Sequence, residues 1–107
     1  MLQAIDALRA FTAGKSFADF MQDRMLRAAV EREFEILGEA LNRLHRDDPS
    51  TAGRFREPWK IIGFRNVIVH EYDDVDYGTV WSTIHEDLPF VRGEVEALLS
   101  EPDDPEE

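Results

Sequence analysis

Trp59-Lys60-Ile61-Ile62-Gly63-Phe64-Arg65-Asn66-Val67-Ile68-Val69-His70, preceded by Pro58, is the most apolar run of the chain, and how it folds decides the architecture. Ile61, Ile62, Val67, Ile68 and Val69 are β-branched, so propensity alone suits a buried strand as well as a helix. Pro58 fits the first turn of a helix, where its missing N–H would have had no intrahelical partner. Because the run is apolar on more than one face, it is expected to be a central element.

The neighbouring segments favour helix. Upstream, Val30, Phe34, Leu37, Leu41 and Leu44 recur at spacings of four and three with charged residues between them, which predicts one apolar stripe running to about residue 45. Before it, Leu2, Ile5, Leu8 and Phe11 predict a short amphipathic helix ending ahead of Gly14, and Ser16 with Asp19 forms an N-cap signal that opens a second helical region. Downstream, Tyr77, Trp81, Ile84, Leu88, Val91, Val95 and Leu98 predict a helix over about 76–100, kinked or split at Pro89 because proline lacks the amide donor and crowds the preceding turn. Between the stripes, Asp47, Asp48, Pro49, Ser50 and Gly53 make residues 47–57 linker-like. The fold class expected is all-α, an antiparallel helical bundle of four to five helices.

With 107 residues and 12.4 kDa, one domain is expected over residues 1–100, followed by a flexible acidic tail over 101–107 that carries two prolines and no apolar anchor. The net charge of −11 excludes a surface that binds polyanions everywhere, so any nucleic-acid contact has to be local. Without cysteine there are no disulfides, thiolate metal sites or cysteine nucleophiles. No apolar run approaches the roughly 18 residues of a membrane span, and a cytoplasmic location without membrane association is expected. Residues 1–42 sum to −2, residues 43–70 to +3 and residues 71–107 to −12. Arg43, Arg46, Arg54, Arg56, Lys60 and Arg65 either build a phosphate-facing patch or are offset by acidic surfaces of the same fold or of an oligomer; charge alone does not separate the two.

Metal sites find little support. In di-metal helical bundles a glutamate precedes a histidine by three positions, but Asn42, Val67 and Ser82 stand three before His45, His70 and His85. Glu35 and Glu39 share a helix face one turn apart, an arrangement more commonly solvated or salt-bridged, and Gly38 between them suits close helix packing. No metal or other cofactor is expected. The chemically dense stretch is Arg65-Asn66-Val67-Ile68-Val69-His70-Glu71-Tyr72, which brings a permanent cation, an amide, an imidazole and a phenol within eight residues. It has a structural reading, with His70 capping a helix C-terminus and Arg65 paired to Glu35 or Glu39. It also has a catalytic one, with a geometric condition attached. Around a regular helix Arg65 and His70 stand about 140° apart, while Asn66 and His70 stack at i and i+4. Convergence on one atom needs a loosened helix end, or two chains pairing symmetrically so that two arginines and two histidines share a cleft.

The pattern R-N-x-x-x-H-x-Y at Arg65, Asn66, His70 and Tyr72 resembles the R-x-x-x-x-H-x-Y signature of HepT-like toxins in the HEPN superfamily. Phe-Glu-Ile-Leu-Gly-Glu-Ala at 34–40 looks like the I-G-E-A segment of that family, and Ser-Phe-Ala-Asp-Phe at 16–20 resembles the opening of its second helix. The likeness covers about residues 2–100. It implies a homodimeric HEPN-like bundle acting as a metal-independent endoribonuclease, the toxin of a type II toxin–antitoxin pair whose partner is a minimal nucleotidyltransferase antitoxin. On that resemblance Arg65, Asn66 and His70 are the catalytic set acting on RNA. Arg65 would clamp the scissile phosphate, Asn66 would orient it or the imidazole, and His70 would exchange protons near neutral pH. Tyr72 would accept AMP from the partner, placing negative charge where the RNA phosphate sits and silencing cleavage. The alternative is a non-catalytic interaction module that keeps the same motif to dock a nucleotidyltransferase.

Overall fold

The computed structural model describes residues 1–55, 58–70 and 75–101, with the side chains of Val69 and His70 outside the description. Every regular element among the described residues is helical, so the fold is all-α: α1 Leu2–Thr12, α2 Phe17–Gln22, α3 Arg24–Asp47, α4 Pro49–Ala52, α5 Pro58–His70, α6 Tyr77–Ser82 and α7 Leu88–Ser100, with a π-helical turn at Thr83–Asp87 joining the last two. Counted as longer stretches, with the one-turn α4 set aside and α6 to α7 taken as one rod, there are five, within the four to five expected. The run 58–70 is a helix throughout, which settles the strand alternative.

Local chemistry sets the boundaries. Gly14 ends the α1 turn with φ of 73°, the left-handed region where glycine carries no steric cost. Ser16 then caps α2 reciprocally: its hydroxyl accepts from the Asp19 N–H at 3.0 Å, and the Asp19 carboxylate accepts from the Ser16 N–H at 2.9 Å. The second helical region breaks at Asp23, whose carboxylate accepts from the Leu26 N–H at 3.0 Å and starts α3 anew. The stretch expected as linker holds α4, opened by Asp48 accepting from Thr51 with Pro49 in the first turn. At the other end Pro89 cannot donate to the turn before it. The chain widens there into the π-turn, with the Leu88 N–H reaching back to the Thr83 carbonyl, and α7 resumes with Pro89 in its first turn.

The core is the meeting of three stripes. Val30, Phe34, Leu37 and Leu41 of α3 are buried, as are Ile5 and Leu8 of α1 and Val80, Ile84, Leu88 and Val95 of the last rod. Phe11, expected on the α1 stripe, is partly exposed, and Thr12 is buried beside it with its hydroxyl donating to the Leu8 carbonyl at 2.9 Å. The central element is α3, packed against α1, α2, α4 and α5. This corrects the expectation for 58–70: among the described residues α5 packs extensively on α3 alone, and its outer stripe is open, with Trp59 60% exposed and Asn66 exposed. Arg92 ties α7 to α1 through Asp6 at 2.6 Å. Residues 102–107, most of the expected tail, lie outside the described residues.

The crossing of α3 and α5 depends on Gly38. A Cβ built there would stand 2.4 Å from the Arg65 Cβ and 3.1 Å from the Ile61 carbonyl oxygen, so the helices meet at a distance that only glycine permits. Gly38→Ala is therefore expected to cost about 1–3 kcal/mol in urea unfolding. Gly93→Ala, where an added Cβ meets nothing within 4 Å, should leave stability unchanged or raise it by up to about 1 kcal/mol. Equal effects of the two would contradict the close crossing.

Asp19, Asp48 and Asp76 are each held below the ordinary carboxylate value of 3.8, chiefly by hydrogen bonds from Ser16, Thr51 and Thr79 respectively. A depressed folded-state value stabilises the fold at pH above 3.8 and ceases to do so as pH falls through the folded-state value. Asp76→Asn should accordingly lower the thermal midpoint at pH 7 and shrink its further fall between pH 4 and pH 2, as read by circular dichroism.

Candidate active site

Arg65 sits where α5 crosses α3, its stem lying against Gly38. The pressure that demands glycine also fixes the guanidinium, leaving its side chain 24% exposed. Nη2 lies 3.2 Å from Glu39 Oε2, one residue past the glycine, and Nη1 donates to the Asn66 Oδ1 at 3.2 Å. Nε is buried and has no hydrogen-bond partner among the described residues, so these residues do not fully satisfy the cation. Glycine at 38 and glutamate at 39 thus serve one purpose: the first admits Arg65, the second holds it.

Beside this pair runs a groove of about 300 Å³ bounded by Arg32, Glu35, Ile36, Glu39, Ala40, Arg43 and Arg65. Arg32 meets Glu35 at 3.3 Å, and Arg43 reaches Glu39 at 4.0 Å. Three arginines face two glutamates, so the groove keeps a modest positive balance in a strongly acidic protein. Both carboxylates proposed as conceivable metal ligands are engaged with arginines.

The motif residues are placed as follows. Arg65 and Asn66 are in contact, with Asn66 exposed and steering the guanidinium. Residue 70 closes α5. The His70 side chain and the whole of Tyr72 lie outside the described residues. Tyr77 is partly buried: its hydroxyl donates to Glu31 Oε1 at 2.6 Å, and its ring lies 5.7 Å from the Arg27 guanidinium. Burial, followed by the Glu31 carboxylate, raises the Tyr77 phenol above its ordinary value.

The basic run of residues 43–70 is largely neutralised by its surroundings. Arg46 pairs with Asp47 at 3.3 Å, Arg54 with Glu101 at 2.8 Å and Lys60 with Asp87 at 2.7 Å, besides Arg43 and Arg65 on Glu39. Arg56 lies outside the described residues. Asp87 and Glu101 come from the acidic C-terminal third, so charges that look segregated along the chain meet across the fold.

An all-α bundle whose long central helix carries G-E-A against an arginine of R-N-x-x-x-H defines a class of helical RNases. The family model "Ribonuclease HepT-like" matches residues 1–98, and the chain belongs to the HepT-like family. Among its relatives, "Putative RNase MJ1380" of Methanocaldococcus jannaschii is 34% identical, with 92% of this chain and 89% of that protein aligned. "Putative RNase TTE0752" of Caldanaerobacter subterraneus subsp. tengcongensis is 36% identical over 92% of this chain and 88% of that one. "Probable ribonuclease HepT" of Thermococcus cleftensis is 33% identical over 90% and 86%. No solved structure matches the chain significantly.

A double-mutant cycle of Glu39→Gln and Arg65→Ala, measured by urea unfolding, should give a coupling of about 0.5–1 kcal/mol, the scale of a partly exposed ion pair. Additive losses would contradict the pairing.

Proposed function

We propose that this RNase cleaves single-stranded RNA as a homodimer without a metal ion, is the toxin of a type II toxin–antitoxin pair, and is silenced by a nucleotidyltransferase partner acting on Tyr72. The observation that carries the reading is the Arg65 site. A half-buried guanidinium, incompletely satisfied by one glutamate and one asparagine, borders a groove of positive balance at the family's motif. A phosphodiester can take both parallel N–H donors of such a fork, where Glu39 engages one nitrogen. Asn66 orients the fork, and His70 moves the proton. It removes hydrogen from the ribose 2′-hydroxyl, whose oxygen attacks phosphorus, and an imidazolium returns a proton to the departing 5′-oxygen. The products are a 2′,3′-cyclic phosphate and a 5′-hydroxyl.

The homodimer is supported by α5 itself. It is apolar on more than one face, yet apart from the His45 ring against Trp59 its outer stripe of Trp59, Gly63 and Asn66 is not packed extensively by the described residues. A second copy on that stripe would bring two sets of Arg65 and His70 together and meet the 140° problem of a single helix. In the regulatory step the Tyr72 oxygen attacks the α-phosphorus of ATP, pyrophosphate leaves, and the attached adenylate competes with RNA for Arg65.

The decisive assay is cleavage of a single-stranded RNA by purified protein in excess chelator, with the product ends mapped. Cyclic phosphate ends are expected, with Arg65→Ala and His70→Ala each slower by about two to four orders of magnitude at unchanged helicity. Arg65→Lys should rescue only in part, since an ammonium lacks the planar fork. Binding of a nucleotidyltransferase without any cleavage would favour the interaction-module reading. AMP transfer that persists in Tyr72→Phe would remove the proposed switch.

A further inference from the structure

The acid-paired state of residues 43–65 raises the question of where else an RNA strand finds positive charge. On the side of the bundle formed by α1 and the π-turn, away from Arg65, lies a depression of about 510 Å³. Arg9, Lys15 and His85 line it together with Ala13, Ile84 and Pro89. The described residues that line it include no aspartate or glutamate, in a protein with 23 of them. Of the neighbouring acids, Asp6 pairs with Arg92 and Asp19 closes the α2 capping box, each also within electrostatic reach of Arg9 and Lys15 respectively, and Glu86 lines a different cavity beside Lys60. Neither Arg9 nor Lys15 makes an ion pair among the described residues, whereas Lys60, Arg65 and Arg92 all do.

Two features make this more than scattered charge. Gly14, at φ of 73° with nothing within 4 Å of a built Cβ, turns the chain so that Lys15 comes round to the side of Arg9. The π-turn forced by Pro89 carries His85, whose exposed ring lies 4.5 Å from that of Trp81. The result is two cations beside the exposed His85 ring, a face on which a base can stack, with Trp81 behind it packed on Phe20.

We propose that Arg9, Lys15 and His85 form an accessory subsite for the sugar–phosphate backbone of single-stranded RNA, separate from the Arg65 groove. This rests on the ribonuclease reading for its ligand, and it assigns the depression a share of substrate affinity and none of the chemistry. Arg9 and Lys15 each neutralise one phosphate, and the exposed His85 ring stacks on a base of the same strand.

The test uses the full chain and a fluorescein-labelled 2′-O-methyl oligouridylate, which lacks the attacking hydroxyl and therefore stays intact during anisotropy titrations. Arg9→Ala/Lys15→Ala is expected to weaken binding about tenfold or more at low salt and to lower the slope of log affinity against log salt by about 1.4, two phosphate contacts' worth for a single strand. The control Arg24→Ala/Arg46→Ala removes the same charge outside the depression and should weaken binding much less. Amide resonances of Gly14, Lys15 and His85 should shift on titration. Equal loss in both double variants, shifts confined to the α3–α5 groove, or no binding by the unsubstituted protein would each overturn the subsite. The two readings fail separately. Binding that depends on Arg9 and Lys15 without cleavage of unmodified RNA sinks the ribonuclease reading alone; cleavage with binding indifferent to them sinks the subsite alone.

Discussion

Everything at the candidate site follows from the absence of one methyl group at residue 38. Without a Cβ, α3 lets α5 settle until the Arg65 stem lies against the helix backbone, and Glu39 then stands within reach of the guanidinium. A cation brought this close needs a carboxylate to offset its desolvation, and the sequence places one at the next position. The same pair explains why G-E-A and R-N-x-x-x-H occur together: they are the two halves of one helix crossing. Neither half alone would fix the cation.

The helical architecture was legible because each of three segments repeats its apolar residues at spacings of three and four, and the buried positions of α3 and α7 are those of the stripes. The N-cap at Ser16 and the end of α1 ahead of Gly14 were legible from residue chemistry, while the reciprocal bond to Asp19 and the left-handed backbone of Gly14 emerge in the structure. Less legible were helix breaks set by a single cap and elements too short to repeat. Asp23 resembles any other surface aspartate until its carboxylate is seen to start α3, and α4 is too short to have a period. The apolar character of residues 58–70 suggested a centre, yet the centre is α3, because a helix can be apolar on a face that the described residues leave largely open.

Charge shows the same limit. A cumulative count separates a basic middle from an acidic end, but folding brings Asp87 to Lys60 and Glu101 to Arg54, and the basic run loses most of its independence. Arg9 and Lys15, unremarkable in a segment of net −2, end up in a depression without carboxylates. Of the motif, the chain order displays Arg65, Asn66, His70 and Tyr72, and helical geometry adds a condition: the arginine faces the α3 groove, and a regular helix sets residue 70 about 140° away from it. A site that uses both needs either a loosened end of α5 or, as proposed above, a second copy of the chain.

That condition is open to direct measurement. Arg65→Ala and His70→Ala proteins, each inactive by itself, are mixed, allowed to exchange subunits, and assayed for RNA cleavage in chelator. If arginine and histidine act from opposite protomers, each mixed dimer rebuilds one complete pair, and the mixture should recover about a quarter of the unsubstituted activity. A mixture of exchanged dimers as inactive as its components would show that the pair acts within one chain and would contradict the account.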